Sequence, residues 1–168
     1  MKQKISIMAA MSENRVLGAN NKLVWTLPLD WENFHKITAG KPCMMGRTSY
    51  ESEDMISSEK LKVVITSRTI DNVPDNVRVV HNIEDAMELL SGYEEYFILG
   101  GGKIFEQTLS KANYMYLTIV HHHFEGDTFF PEINWEEWAL VKSVRHEPDE
   151  RHAYPFSLNE YQRLVNFN

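Results

Sequence analysis

Two rhythms of polar and apolar positions alternate along this chain, and each change of rhythm marks an element. Residues 5–11 form a short apolar run broken only by Ser6 and bounded by polar residues, which predicts a buried strand. Residues 12–21 are polar and end in Gly18, Ala19, Asn20 and Asn21, so they read as a loop, long enough to act as a lid. The spacing then becomes helical. Leu27, Trp31 and Phe34 recur as one apolar stripe, with Pro28 in the first turn, where its missing N–H is not needed. Gly40, Lys41 and Pro42 end that helix. Residues 43–45 predict a short strand, and Gly46 permits a sharp turn into a helix beginning within 46–51.

The same alternation continues downstream. Residues 62–68 are rich in β-branched side chains and predict a strand, followed by a shorter one over 77–80. Asn82 reads as a helix cap, with Ile83, Ala86, Met87 and Leu90 as the core stripe behind it. A strand over 96–99 runs into Gly100, Gly101 and Gly102, and 103–109 resumes helical spacing. Residues 114–120 predict a central strand, and 125–131 a tight polar turn. Residues 138–144 and 153–165 predict two closing antiparallel strands joined by a charged connection over 147–151.

Composition narrows the setting. A length of 168 residues suits one domain with a sizeable core, and 43% hydrophobic content excludes a disordered chain. A formal net charge of -7 argues against non-specific nucleic-acid binding. The one cysteine, Cys43, cannot close an internal disulfide, which fits the reducing cytoplasm. The apolar run at 5–11 is too short for a signal peptide or a membrane span.

Candidate chemistry begins at Asp30, which falls inside the apolar stripe, one turn before Phe34. A carboxylate there is costly to bury without a partner, and a ligand could be that partner. A first-turn acid is equally favoured by exposed helix N–H groups. Ala9 and Ala10 leave room against the first strand, or pack closely on a helix. Gly46, Arg47 and Thr48 at a helix start form an anion site or a simple cap. Thr66, Ser67 and Arg68 end a strand where α/β sheets place their ligands; the plain alternative is a turn with an exposed arginine. The triple glycine between strand and helix suits close approach to a phosphate, yet it matches neither the G-x-G-x-x-G fingerprint nor a P-loop. His121 and His123 would share a strand face, but no third fixed ligand is evident and no metal site is expected.

Taken in order, these segments resemble dihydrofolate reductase over almost the whole chain. The residues carrying the resemblance are Ala9-Ala10, Gly18, Leu23, Trp25-x-Leu27-Pro28-x-Asp30, Phe34 and Lys41-Pro42-x-x-Met45-Gly46-Arg47-Thr48. Further along stand Thr66-Ser67-Arg68, Leu99 with the three glycines, Leu117-Thr118 and Glu125-Gly126-Asp127-Thr128-x-Phe130-Pro131.

The resemblance implies an α/β fold: one domain with an eight-stranded, mostly parallel sheet, four flanking helices and an antiparallel C-terminal hairpin. It implies NADPH-dependent reduction of 7,8-dihydrofolate to tetrahydrofolate, binding of antifolate inhibitors, and a monomer. Asp30 would bind and orient the pterin and promote protonation, with Thr118 supporting it and Trp25 holding a water. Leu23 would lie on the mobile loop over the nicotinamide. Met8, Ala9, Trp31 and Phe34 would line the substrate groove. The cofactor would meet Ala10, Gly18, Gly46, Arg47, Thr48, Thr66, Ser67, Arg68, Leu99, Gly100, Gly101, Gly102, Lys103, Ile104, Phe105 and Thr128, with a cis peptide between the first two glycines.

Three departures from the family pattern stand out. Val24 replaces a frequent proline, and Phe105 replaces a frequent tyrosine. The Leu-Pro-x-Arg segment whose arginine clamps the glutamate tail is absent, and Lys60 is the nearest counterpart, offering charge without a bidentate fork. Two other readings share the fold: a riboflavin-pathway pyrimidine reductase, against which the Trp-x-Leu-Pro-x-Asp context argues, and a non-catalytic binding or structural protein.

Overall fold

The computed structural model describes residues 2–19, 24–52 and 61–164. Among them the elements run β1 (Lys4–Ser12), β2 (Val16–Gly18), α1 (Pro28–Thr38), β3 (Cys43–Gly46), α2 (Arg47–Tyr50), β4 (Lys62–Ile65), β5 (Val77–Val80), α3 (Ile83–Leu90), β6 (Glu95–Ile98), α4 (Gly102–Thr108), β7 (Tyr114–Val120), β8 (Thr128–Phe129), β9 (Trp138–His146) and β10 (Phe156–Arg163). Eight strands form one sheet in the order β5-β4-β3-β6-β1-β7-β10-β9. Every pairing from β5 across to β7 is parallel, and β10 runs antiparallel to both β7 and β9. This is the mostly parallel sheet with an antiparallel C-terminal pair that the resemblance implied.

Both faces of the parallel part are covered, which is why its strands read as continuous apolar runs. Alternate residues point to opposite faces. Ile7, Met44, Val63, Ile98 and Leu117 join one core with Ile83, Ala86 and Leu90 of α3 and with Ile104 and Phe105 of α4. Their sequence neighbours Met8, Cys43, Met45, Val64 and Phe97 form a second core, against which Phe34 and Ile37 of α1 and Tyr50 of α2 pack. Asn82 caps α3, its side-chain oxygen accepting from the Asp85 N–H at 2.8 Å.

Four expectations are corrected. The strand expected over 62–68 ends at Ile65, because the ladder with β3 closes at the Gly46–Ile65 pair. On the other side of β3, the Gly46 N–H donates to the Gly100 carbonyl at 2.8 Å, carrying the line of β6 into the glycine turn. The expected loop over 12–21 contains β2, and the expected turn over 125–131 contains β8; the two pair as a short antiparallel ribbon. Strands this short show no legible alternation. Gly126 makes the ribbon possible, since a Cβ there would stand 2.4 Å from Val16 Cγ1 and 2.7 Å from the Gly18 carbonyl oxygen. The closing strands also shift: β9 runs on to His146, while β10 spans only Phe156–Arg163 because 149–152 forms its own tight turn. Of the apolar stripe, Leu27 is buried at the start of α1. Trp31 and Phe34 stay half-buried, and α1 buries no residue completely.

Candidate active site

The site is built on the first turn of α1. Leu27 stands at the N-cap without a polar side chain, and its carbonyl accepts from the Asp30 and Trp31 N–H groups at 3.0 and 3.2 Å. Asp30 thereby lies on the side of α1 that faces β7. Its Oδ1 accepts a hydrogen bond from the Thr118 hydroxyl at 2.6 Å. Thr118 is buried at the middle of the sheet, paired with Ala10 of β1 and Leu158 of β10. Burial pushes the Asp30 carboxyl up to about 6, and the Thr118 hydrogen bond pulls the other way. An acid so placed is ionised at neutral pH yet takes up a proton readily, which suits proton management beside a ligand.

Aromatic and small residues shape the surrounding groove. The Trp31 and Phe34 rings meet edge to face at 5.5 Å, and Trp31 also stacks on His35. Met8 is buried on the α1 side of β1, whereas Ala9 packs with the core on the opposite face. Ala10 returns to the α1 side and packs on the cluster of Trp25, Leu27, Val120 and Phe156. A cavity of about 220 Å³ opens beside Thr118, lined also by Met8, Asn33, Tyr116, Lys142 and Glu160. Trp25 is buried, its ring 5.4 Å from that of Phe124. Leu23 and Lys60 lie outside the described residues.

The residues expected at the cofactor gather at the carboxyl edge of the sheet. β4, β3, β6 and β1 are consecutive neighbours there, so Thr66–Arg68, Gly46–Thr48, Leu99–Gly102 and Ala10 share one edge. Gly100 has φ +105°, and the Gly100–Gly101 peptide is cis. A Cβ on Gly100 would stand 3.0 Å from the Phe105 ring, so this backbone requires glycine for conformation and for space. A Cβ on Gly101 would meet only Ser49 Oγ, at 3.9 Å, which leaves that backbone open to a close approach. Gly102 is instead covered by Thr128 and by the Phe129 carbonyl, each 3.1 Å from an added Cβ.

Around this edge, Arg47 pairs with Glu51 at 2.7 Å, and Thr48, Ser67, Arg68 and Lys103 are exposed. Thr66 fixes the turn by accepting from the Arg68 N–H at 3.2 Å. Leu99 is half-buried and Ile104 fully buried. Phe105 is buried against Phe130 at 5.0 Å. Gly18 accepts from the Asp127 N–H through its carbonyl at 3.1 Å. Three cations, two exposed hydroxyls and an open glycine backbone form a donor set that suits a phosphorylated cofactor. His121, by contrast, is engaged by Ser157 at 2.7 Å and Glu13 at 3.3 Å.

Sequence reasoning missed two residues near the site. His152 Nε2 accepts from the Leu29 N–H at 3.1 Å, and His152 Nδ1 lies 2.7 Å from Asp149 Oδ1. Both sit in what read as a charged connection and its border, and no local signal ties position 152 to position 29.

A half-buried acid in an aromatic groove, next to a sheet edge furnished for phosphates, defines an open α/β fold that brings an organic substrate to a nucleotide. The family model described as dihydrofolate reductase matches residues 4–163. The chain is 36% identical to the dihydrofolate reductase of Bacillus subtilis over 159 residues, covering 95% of this chain and 94% of that one. It is 38% identical to the Staphylococcus aureus dihydrofolate reductase over 151 residues, covering 90% and 92%. It superimposes on the dihydrofolate reductase of Enterococcus faecalis, solved in complex with NADP(H) and RAB-propyl, with a TM-score of 0.84 and 31% identity, covering 95% and 96%. The chain belongs to the dihydrofolate reductase family.

Proposed function

We infer that this protein reduces 7,8-dihydrofolate to 5,6,7,8-tetrahydrofolate with NADPH. The observation that carries the reading is the Asp30–Thr118 pair inside the half-buried α1 groove, in a chain that matches this family from residue 4 to residue 163. When bound, NADPH supplies the hydride that adds to pterin C6, while a proton adds to N5. Asp30 accepts hydrogen bonds from the 2-amino and N3 side of the pterin and so fixes the ring. The same carboxylate favours protonation of the bound ring, because a buried negative charge stabilises a positive one nearby. Thr118 orients Asp30 and holds its charge in place.

Met8, Trp31 and Phe34 form the walls on which the pterin and aminobenzoyl rings rest, Ala9 meets the substrate only through its backbone because its side chain faces the opposite core, and Trp25 holds a water beside them. Ala10, Gly18 and Phe105 border the nicotinamide end of the cofactor. Gly100, Gly101 and Lys103 border the pyrophosphate, Arg47, Ser67 and Arg68 receive the 2′-phosphate, and Gly46, Thr48, Thr66 and Leu99 line the same edge. The groove also accepts antifolate inhibitors. We place the protein in the cytoplasm as a monomer, a setting consistent with Cys43, which is buried as a free thiol.

The test is loss of NADPH absorbance on adding dihydrofolate, repeated with NADH. Rapid loss with NADPH alone is expected. Equal loss with both cofactors would retire the 2′-phosphate roles of Arg47, Ser67 and Arg68. No loss with either, in folded protein that still binds NADPH, would point to the non-catalytic or pyrimidine-reductase reading.

A further inference from the structure

The first turn of α1 has an unusual arrangement of donors. A helix start leaves its first N–H groups without intrahelical partners, and a polar N-cap side chain normally takes one of them. Here the N-cap is Leu27, which cannot, and Pro28 has no N–H to offer. The Asp30 and Trp31 N–H groups turn back onto the Leu27 carbonyl. The Leu29 N–H is left, and it points at His152 Nε2, 3.1 Å away and 123 positions downstream.

That contact determines the state of the imidazole. Nε2 accepts a hydrogen bond, so it carries no proton, and Nδ1 must carry it. Nδ1–H then donates to Asp149 Oδ1 at 2.7 Å. The Asp149 carboxylate also accepts from the Arg151 N–H at 2.8 Å, and the backbones of Asp149 and His152 bond to each other in both directions. Hydrogen bonds from His152 and Arg151 hold the Asp149 carboxyl below its usual range. His152 itself is 3% exposed and lies against the Phe156 ring at 5.2 Å. Arg151 adds an ion pair to Glu32, one turn further along α1, at 2.9 Å.

We propose that His152, locked in its Nδ1–H tautomer by Asp149, is the N-terminal cap of α1 and a positioning residue that holds Asp30 against Thr118. Asp30 follows the capped residue directly, so any fraying of this turn moves the carboxylate before it disturbs the rest of the helix. His152 touches neither substrate nor cofactor in this account; it acts only through Leu29 and the turn. The inference rests on the reading of Asp30 as the substrate-binding acid.

The experiment compares H152A, H152Q and D149A with the wild type. Gln can place its side-chain oxygen near the position of Nε2 and accept from Leu29, whereas Ala cannot. For H152A, kcat/KM for dihydrofolate should fall on the order of ten- to a hundredfold. The NADPH Kd should stay within about twofold, because the cofactor edge is not touched. H152Q should recover most of the loss. D149A, which removes an exposed carboxylate and spares the core, should lose about three- to fivefold, as the tautomer is no longer fixed.

Amide exchange at Leu29 and Asp30 provides a readout independent of turnover and should quicken in H152A and D149A but not in H152Q. Should H152A fail to fold, D149A and H152Q carry the same comparison. Unchanged exchange at Leu29 in D149A, or equal losses of kcat/KM and thermal stability in H152A and H152Q, would overturn the cap. If the wild type does not reduce dihydrofolate, the functional reading fails, and the exchange pattern still decides whether His152 is the cap.

Discussion

Replacing Asp30 by Asn tests the site through stability as well as through turnover. Folding raises the Asp30 carboxyl from an ordinary 3.8 to about 6, chiefly by burial. The sign follows from proton uptake. Between those two values the folded protein holds a proton that the unfolded chain has lost, so stability falls as pH rises through that window and is level above it. At about 1.4 kcal/mol per pH unit, the ionised acid costs the fold about 3 kcal/mol at pH 8. Asn keeps the shape and can still accept from the Thr118 hydroxyl, but carries no charge to desolvate. Allowing for burial of its amide, D30N should therefore be more stable than wild type by about 1–2 kcal/mol at pH 8. The advantage should vanish near pH 5 and reverse slightly by about pH 4, as wild-type Asp30 becomes neutral and escapes the cost. Urea unfolding of both proteins at several pH values measures the difference directly, since every other titrating group cancels. Activity should move oppositely, with kcat/KM falling by on the order of a hundredfold or more while NADPH binding is kept. A stability difference that does not change with pH, or a variant less stable at pH 8, would refute the placement of a costly buried charge at position 30.

Three further outcomes are expected. T118V removes the hydrogen bond that lowers the Asp30 carboxyl, so the acid limb of the pH–activity profile should shift upward, with a loss of about tenfold in kcat/KM near neutrality; an unmoved limb would show that Thr118 does not tune the acid. G100A places a Cβ at φ +105° and 3.0 Å from the Phe105 ring, so it should cost about 2 kcal/mol or more in thermal or urea unfolding and weaken NADPH binding. Burial pushes the Cys43 thiol up to about 12, so thiol reagents at pH 8 should label it only as fast as the protein unfolds, measurable by mass spectrometry with and without urea.

Much of the fold was legible because both faces of the parallel sheet are covered, which gives the runs at 5–11, 43–45, 62–65 and 96–99 their continuous apolar character. The helix α3 was legible for a different reason: Asn82 and the Ile83, Ala86, Leu90 stripe agree on one face and one start. The β2–β8 ribbon was not, since its register depends on Gly126 fitting against Val16 and Gly18, a contact across more than a hundred residues. Within the site, Asp30 stood out as an acid inside an apolar stripe, and the structure supplies the half-buried groove that makes that placement sensible. Thr118 was found through the resemblance, and its direct bond to Asp30 came only from the sheet register. His152 left no local trace, because its partner is a backbone N–H, and backbone donors look alike in every sequence.

The position of β1 sets a timetable for the growing chain. It lies between β6 and β7, so both its edges wait for strands that begin at Glu95 and Tyr114. During synthesis at about 5–20 residues per second, the segment Lys4–Ser12 therefore spends several seconds outside the ribosome as an apolar strand with no neighbour on either side. Such a strand is a ready template for pairing with another chain. The strand that anchors the middle of the finished sheet is, for that interval, the nascent protein's most exposed liability, and a chaperone that shelters it until Glu95 emerges would raise the yield more than one acting on the completed chain.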